Sequence, residues 1–172
     1  MLQGEFLMTG SGPAVIGQSL SAMASHAPEA EVIDTRFGRI TVNPRQAIHF
    51  PTGLLGMPDK ANFCLTHFPS EKMARFKMLQ SLDDAALSFI TLPVDIQNPI
   101  IERADIEQAA HDLEMALDDV AILLVITVHR ESGVAKLSTN ARAPILVHVS
   151  RRTATQYVFP HTKYLIRQPL TL

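Results

Sequence analysis

The nine residues Val120-Ala-Ile-Leu-Leu-Val-Ile-Thr-Val128 are the longest apolar run in the chain and limit its fold more than any other segment. A helix that crosses the hydrocarbon layer needs about 20 such residues, so the run is no membrane span. Drawn as a strand, it is apolar on both faces, the pattern of a central element covered on both sides. Leaving Leu124 in water instead of burying it would forfeit roughly 1.5–3 kcal/mol. Val120–Val128 is therefore expected in the core, and Leu124→Asp is expected to unfold the domain.

Short apolar stretches separated by Gly, Pro, Asn and Asp fill the chain from Glu31 onward, a texture of strands rather than long helices. Val32–Thr35, Arg39–Val42 and Ala47–Phe50 read as strands forming two early hairpins, broken at Phe37-Gly38 and Asn43-Pro44. Phe63–Phe68, Phe76–Ser81 and Leu87–Leu92 follow as a meander with polar turns at Ser70–Lys72 and Leu82–Asp84. Ile106, Ala110, Leu113 and Leu117 recur at helical spacing, and Asp105 with Gln108 has the form of a capping box opening a helix over Asp105–Leu117. After Val128, the turn Glu131-Ser132-Gly133 returns the chain through Val134–Ser138, and Pro144–Val149 and Thr155–Phe159 supply the last strands. The sum is a mainly β protein, a small antiparallel β-barrel-like domain with one or two short helices, since closure removes exposed strand edges.

Residues 1–30 differ in texture: they hold four of the eight glycines and no Lys or Arg, and offer little to bury. They read as a flexible N-terminal extension without the basic start of a signal peptide, or as an over-extended start with Met8 and Met23 as alternative beginnings, leaving 31–172 as the β domain. A lone cysteine, Cys64, permits no internal disulfide and favours a reducing, cytoplasmic setting. With 15 Lys and Arg against 17 Asp and Glu, the net charge of −2 lacks the cationic surplus of a nucleic-acid binder.

Catalytic chemistry finds little support. The seven histidines show no H-x-H or H-E-x-x-H spacing and none pairs with cysteine, so no metal or cofactor is expected; His129 and His148 could meet on neighbouring strands, but hydrogen-bonded structural histidines are the simpler account. Cys64 between Phe63 and Leu65 belongs to a buried strand, where a thiol is inert. Asp83-Asp84 and Asp118-Asp119 sit at turns, and no nucleophile elbow or phosphate-binding glycine loop is present. The charge distribution says more than its sum. Asp95–Asp119 carries eight acids against Arg103, whereas Val120–Leu172 carries seven bases against Glu131. An acidic face over the helix would attract a basic protein and repel RNA phosphate.

The segment Ala47-Ile-His-Phe-Pro-Thr-Gly-Leu-Leu-Gly56 joins a strand, a Pro turn and two glycines, and it resembles the signature of the FliW family of bacterial flagellar assembly factors. The resemblance continues through Leu79-Gln80-Ser81, the strand Val120–Val128, Asn140-Ala-Arg-Ala-Pro-Ile145, and Arg152 with Gln156. Met57 and His148 depart from it, standing where the family usually has an aromatic residue and often Asn. The resemblance implies a non-enzymatic cytoplasmic protein with two alternating partners, flagellin and the translational regulator CsrA, whose capture relieves repression of flagellin translation. A flagellin-dedicated export chaperone that ignores CsrA is the alternative, and a small enzyme lies far behind. Phe50, Pro51, Gly53, Leu54, Gly56, Gln80, Ser81, Asn140, Ala143 and Pro144 are expected as structural members of the signature. Asp95, Glu102, Asp105 and Glu107 are expected on the surface that meets CsrA, and reversing these charges is expected to abolish its capture without disturbing the fold.

Overall fold

The structure is a computed structural model that describes residues 30–94 and 100–170. Its strands are β1 (Glu31–Thr35), β2 (Gly38–Val42), β3 (Ile48–His49), β4 (Asn62–His67), β5 (Lys77–Ser81), β6 (Ser88–Pro93), β7 (Val120–Glu131), β8 (Val134–Thr139), β9 (Ile145–His148), β10 (Thr153–Gln156) and β11 (Gln168–Leu170). The helix α1 (Arg103–Asp112) lies between β6 and β7, and single 3-10 turns occupy Pro44–Gln46, Glu71–Met73 and Leu117–Asp119.

A closed circuit runs β7-β6-β5-β4-β3-β10-β9 and returns to β7, because one edge of β7 is shared. Val120–Leu123 pair there with β9, and Ile126–Glu131 pair further along with β8. Every ladder of the circuit is antiparallel except β3 with β10, which meet in parallel at the single pair Thr153 and His49. Outside it, β8 carries β11, and the β1–β2 hairpin lies over β4 and β5 with Ile40 and Val42 packed on Cys64 and Met78.

The central role of β7 follows from its sequence. Leu123 faces the barrel interior with Phe50, Phe63, Leu79, Ile145 and Val147. Ile122 and Leu124 face outward onto Ile106 and Ala109 of α1 and onto Phe159 and Tyr164 of the C-terminal segment. Leu124 is fully buried, so both faces of the strand exclude water.

The structure departs from sequence expectation in four places. The second early hairpin does not form, since β3 pairs with β4 and β10 instead of β2; Pro44 begins a 3-10 turn that carries the chain from the outer hairpin into the barrel wall. The capping box is absent: α1 starts at Arg103, no side chain caps it, and Asp105 lies within its first turn, bonded elsewhere. The helix stops at Asp112, and Glu114 takes a left-handed backbone (φ 54°), so Leu117 belongs to a separate turn. The last expected strand shifts to Thr153–Gln156, and β11 appears beyond it as an edge strand able to hold Pro169.

Candidate functional site

Three places in the barrel gather the residues that sequence or structure singles out: a closed end, an acidic flank and an open mouth. The closed end lies where β3 leaves the wall and β4 begins, and it is tied by side chains bonded to backbone. Phe50 packs edge-on to Phe63 (centroids 5.0 Å apart) and Leu54 is buried beside it, while Pro51 stays exposed in the turn. Gly53 has φ +66°, and a Cβ there would lie 2.7 Å from Pro58 Cα and closer still to the Met57 carbonyl oxygen, so no other residue fits. Gly56, at φ +81°, also needs the left-handed region.

Gln156 Oε1 accepts from Leu55 N (3.1 Å) and its Nε2 donates to Ala143 O (3.2 Å), joining this loop to the start of β9. Asn140 Oδ1 accepts from Ala143 N (3.1 Å), and the carbonyl of buried Pro144 accepts from Tyr157 N (2.9 Å). Gln80 is fully buried and its Nε2 donates to the carbonyls of Ser81, Ala85 and Leu87 at 2.9–3.1 Å. Ser81 Oγ accepts from Asp83 N and Asp84 N, both at 3.1 Å. The Asp83 carboxylate accepts from Ala61 N and Asn62 N at 2.8 Å, and the Asn62 bond leads the effects that hold its pKa below the usual carboxylate range.

The acidic flank is α1 with the segment that packs against it. Asp95 lies outside the described residues. Glu102 and Asp105 converge on one cation, Lys163 Nζ, at 2.6 and 2.9 Å. The Tyr164 hydroxyl donates to Asp105 and accepts from Glu102 N (2.9 Å). The Tyr164 bond first and Lys163 second lower the Asp105 pKa, while Lys163 is raised by the same two carboxylates, Glu102 ahead of Asp105. Glu107 pairs with Arg103 one turn back (2.7 Å). Both glutamate side chains remain well exposed, at 66% for Glu102 and 48% for Glu107, whereas Asp105 is only 22% exposed. The expected acidic residues in the described region thus share one flank, with cations of the same chain beside them.

The mouth is the other end of the barrel, at the start of β3 and β7 and the end of β4 and β9, and sequence reading missed it. It is a concavity of about 350 Å³ walled by Leu65, Ala121 and Val149, floored by Ile48, Leu123 and Val147, with Gln46 and Arg152 at its rim. Alternation in β4 and β9 gives the one available signal, since Leu65 and Val149 continue the inward-facing positions past the point where the core closes.

The remaining candidates are turn and core residues. His129 Nε2 bonds Ser138 Oγ (2.7 Å), and His148 sits at the opposite end of β7 beside Val120, so these histidines do not meet. His148, Asp119 and Ser150 do cluster. The Ser150 hydroxyl donates to Asp119 Oδ2, and His148 Nδ1 lies 3.1 Å from that same oxygen and 3.3 Å from Ser150 Oγ. The Asp119 carboxylate, whose pKa is held low chiefly by the Ser150 hydroxyl, is too weak a base to activate that hydroxyl, so the cluster clamps the turn after β9. Cys64 is buried and its thiol pKa is pushed up, chiefly by that burial. No group of three potential metal ligands occurs among the described residues, and no helix there is long and apolar enough to cross a membrane.

Comparison with known proteins agrees with the barrel. The family described as FliW protein matches residues 31–170. Flagellar assembly factor FliW of Desulfitobacterium hafniense (strain Y51) is 31% identical over 140 residues, 81% of this chain and 90% of that protein. The protein of the same name from Geotalea uraniireducens (strain Rf4) is 32% identical over 140 residues, covering 81% and 83%. A crystal structure of the flagellar assembly factor FliW shares the fold, with a TM-score of 0.60 at 22% identity over 83% of this chain and 98% of that one. From the barrel wall to the last edge strand, the chain belongs to the FliW family of flagellar assembly factors.

Proposed function

We propose that the protein acts in the cytoplasm as a partner switch, binding flagellin and a CsrA-type translational regulator in turn, so that flagellin export frees it to capture the regulator. The observation that carries this reading is the family match, which spans the whole described barrel. The architecture is compatible with it: a closed scaffold tied by backbone bonds presents preformed surfaces and loses little entropy on binding. Glu102 and Glu107 on the acidic flank are the proposed contacts to the basic, RNA-binding regulator, with Asp95 on the adjoining segment. Asp105 belongs to that surface but also anchors Tyr164 and Lys163, so reversing it would strand a buried hydroxyl and crowd two cations. The charge test is therefore best made at the two glutamates.

The experiment is a two-way competition. Immobilised protein is offered purified flagellin and a purified CsrA homologue, each challenged with the other. Mutual displacement, with CsrA capture lost in Glu102→Lys/Glu107→Lys at low and high salt, is the expected result. Retention of CsrA by that double variant at both salt concentrations would remove the electrostatic account. The alternative reading, a chaperone for flagellin alone, draws on the pairing of Glu102 and Asp105 with Lys163, which reduces the acidic field available to a basic partner. Flagellin binding with no CsrA binding at all would select it.

A further inference from the structure

The barrel mouth has the composition of a receptor site. Its walls include Val149 and Leu65, which are 52% and 36% exposed, while Ile48, Leu123 and Val147 on the floor are nearly dry. Below that floor Phe50, Phe63 and Leu79 are fully buried, so the interior is sealed and no acyl chain can descend into it. Such a shallow dish takes the tip of a side chain, and its volume is at the low end of ligand clefts, roughly 300–1,000 Å³.

The rim carries one cation, Arg152, beside Gln46, and the Asp119 carboxylate on the same turn is taken up by Ser150 and His148. Arg152 lines the mouth and its guanidinium donates to the carbonyl of Arg45, whose own side chain is exposed. Lys77 stands one inward-facing position beyond the Leu65–Leu79 pair, opposite His67. None of Arg45, Lys77 and Arg152 forms an ion pair among the described residues. Arg152 also has a left-handed backbone, φ 51°, fixed by its own carbonyl accepting from His49 N (2.8 Å). A non-glycine residue at such a φ is strained, because its Cβ crowds the following carbonyl oxygen. Glycine would take that turn without strain, yet the position projects a guanidinium over an apolar dish, the kind of local strain that marks functional sites.

We infer that the barrel mouth is a docking site for a protein segment that presents one large aliphatic or aromatic side chain beside carboxylates. The apolar knob enters among Leu65, Val147 and Val149, and the flanking acids meet Arg45, Arg152 and Lys77. A basic partner is disfavoured there by like charge, which sets the mouth apart from the acidic flank. The inference goes with the reading that the protein works by binding proteins, and its test separates the two.

Fluorescence anisotropy on the full chain with three labelled peptides provides that test: a Leu-Phe core flanked by glutamates, the same core flanked by lysines, and the glutamate peptide with its core changed to Ser-Ser. Only the first should bind, about tenfold or more tighter than the others, and it should weaken as salt rises from about 50 to about 500 mM. Arg152→Gly and Val149→Asp should each cost about tenfold or more in its affinity without lowering the melting temperature of the glycine variant. Equal binding of all three peptides, no binding of any, or unchanged affinity in both variants overturns the proposal. So does sedimentation showing a dimer that Arg152→Gly dissociates, or a photocrosslinker at position 149 reacting with residues 1–29 of the same chain. Flagellin is tested in parallel. Flagellin held equally by wild type and both variants removes the mouth as its site and spares the partner reading; flagellin ignored by wild type removes the partner reading, and the peptides alone then decide the mouth.

Discussion

The two ends of one barrel are finished in opposite ways. At the closed end, Ser81, Asp83, Asn140, Gln156 and the amide nitrogen of Gln80 bond backbone groups of the loops that cover it. At the mouth, Val149 and Leu65 face water, and among the described residues Arg45 and Arg152 bond no carboxylate. A closed end built from amides and a glycine with no space for Cβ tolerates almost no change, because each substitution orphans a buried group or displaces backbone. A mouth of aliphatic walls and exposed cations can be altered with little harm to the fold. Residues that tie the closed end thus need not be those that touch a partner.

That contrast can be broken outright at the wall common to both ends. Leu124→Asp removes a buried leucine, worth roughly 2–5 kcal/mol, and buries a carboxylate at a cost of several more. Against a total stability of about 5–15 kcal/mol, no cooperative melting transition should remain; a calorimetric melt like that of wild type would mean that Leu124 is not in the core.

Next in size is Gly53→Ala, which strains the closed end by about 1–3 kcal/mol from φ alone, plus the shift forced on Met57 and Pro58. Its Tm should fall by on the order of 5–10 °C, with peptide binding at the mouth unchanged in anisotropy.

Acid titration sharpens the contrast further. Asp83 has a lowered folded-state pKa, so its contribution is present above the unfolded carboxylate value, about 3.9, and is lost as pH falls through the folded one. Asp119, which holds the turn after β9, behaves in the same sense through its bonds to Ser150. In thermal melts between about pH 5 and pH 2, Asp83→Asn should be less stable than wild type at neutral pH and lose less on acidification. An acid limb as steep as that of wild type would assign the titration elsewhere.

The smallest effect is expected from Arg152→Gly. Relief of the left-handed strain and the added freedom of glycine in the unfolded chain are each about 1 kcal/mol and oppose one another. Denaturant midpoints should therefore agree with wild type within about 1 kcal/mol; a larger loss would make Arg152 part of the scaffold.

Much of this architecture was legible in the sequence because strands announce themselves by alternation and turns by Gly, Pro and Asp. β7 was readable from apolar residues on both faces, and the β4–β5–β6 meander from its polar turns. Pairing across distance was not. Nothing local says that β3 leaves β2 to join β4 and β10, or that β7 shares one edge between β8 and β9. Asp105 looked like a cap because Gln108 follows at the right spacing, but its hydroxyl partner, Tyr164, is 59 residues away. The acidic cluster was visible as a run of charge, whereas Lys163, which draws two of its members together, was visible only as one base among seven. The mouth escaped for a similar reason, since its lining comes from β3, β4, β7 and β9 and from the turn that follows β9.

The lone parallel rung between Thr153 and His49 gives the wall a seam. On one side of it lies the short β3, which carries Ile48 into the mouth, and just past it the turn that bears Arg152. A cylinder whose shortest ladder borders its own opening is held least firmly there. A guest that bridges Arg45 and Arg152 would act as a clasp across that seam, stiffening the whole cylinder from its rim.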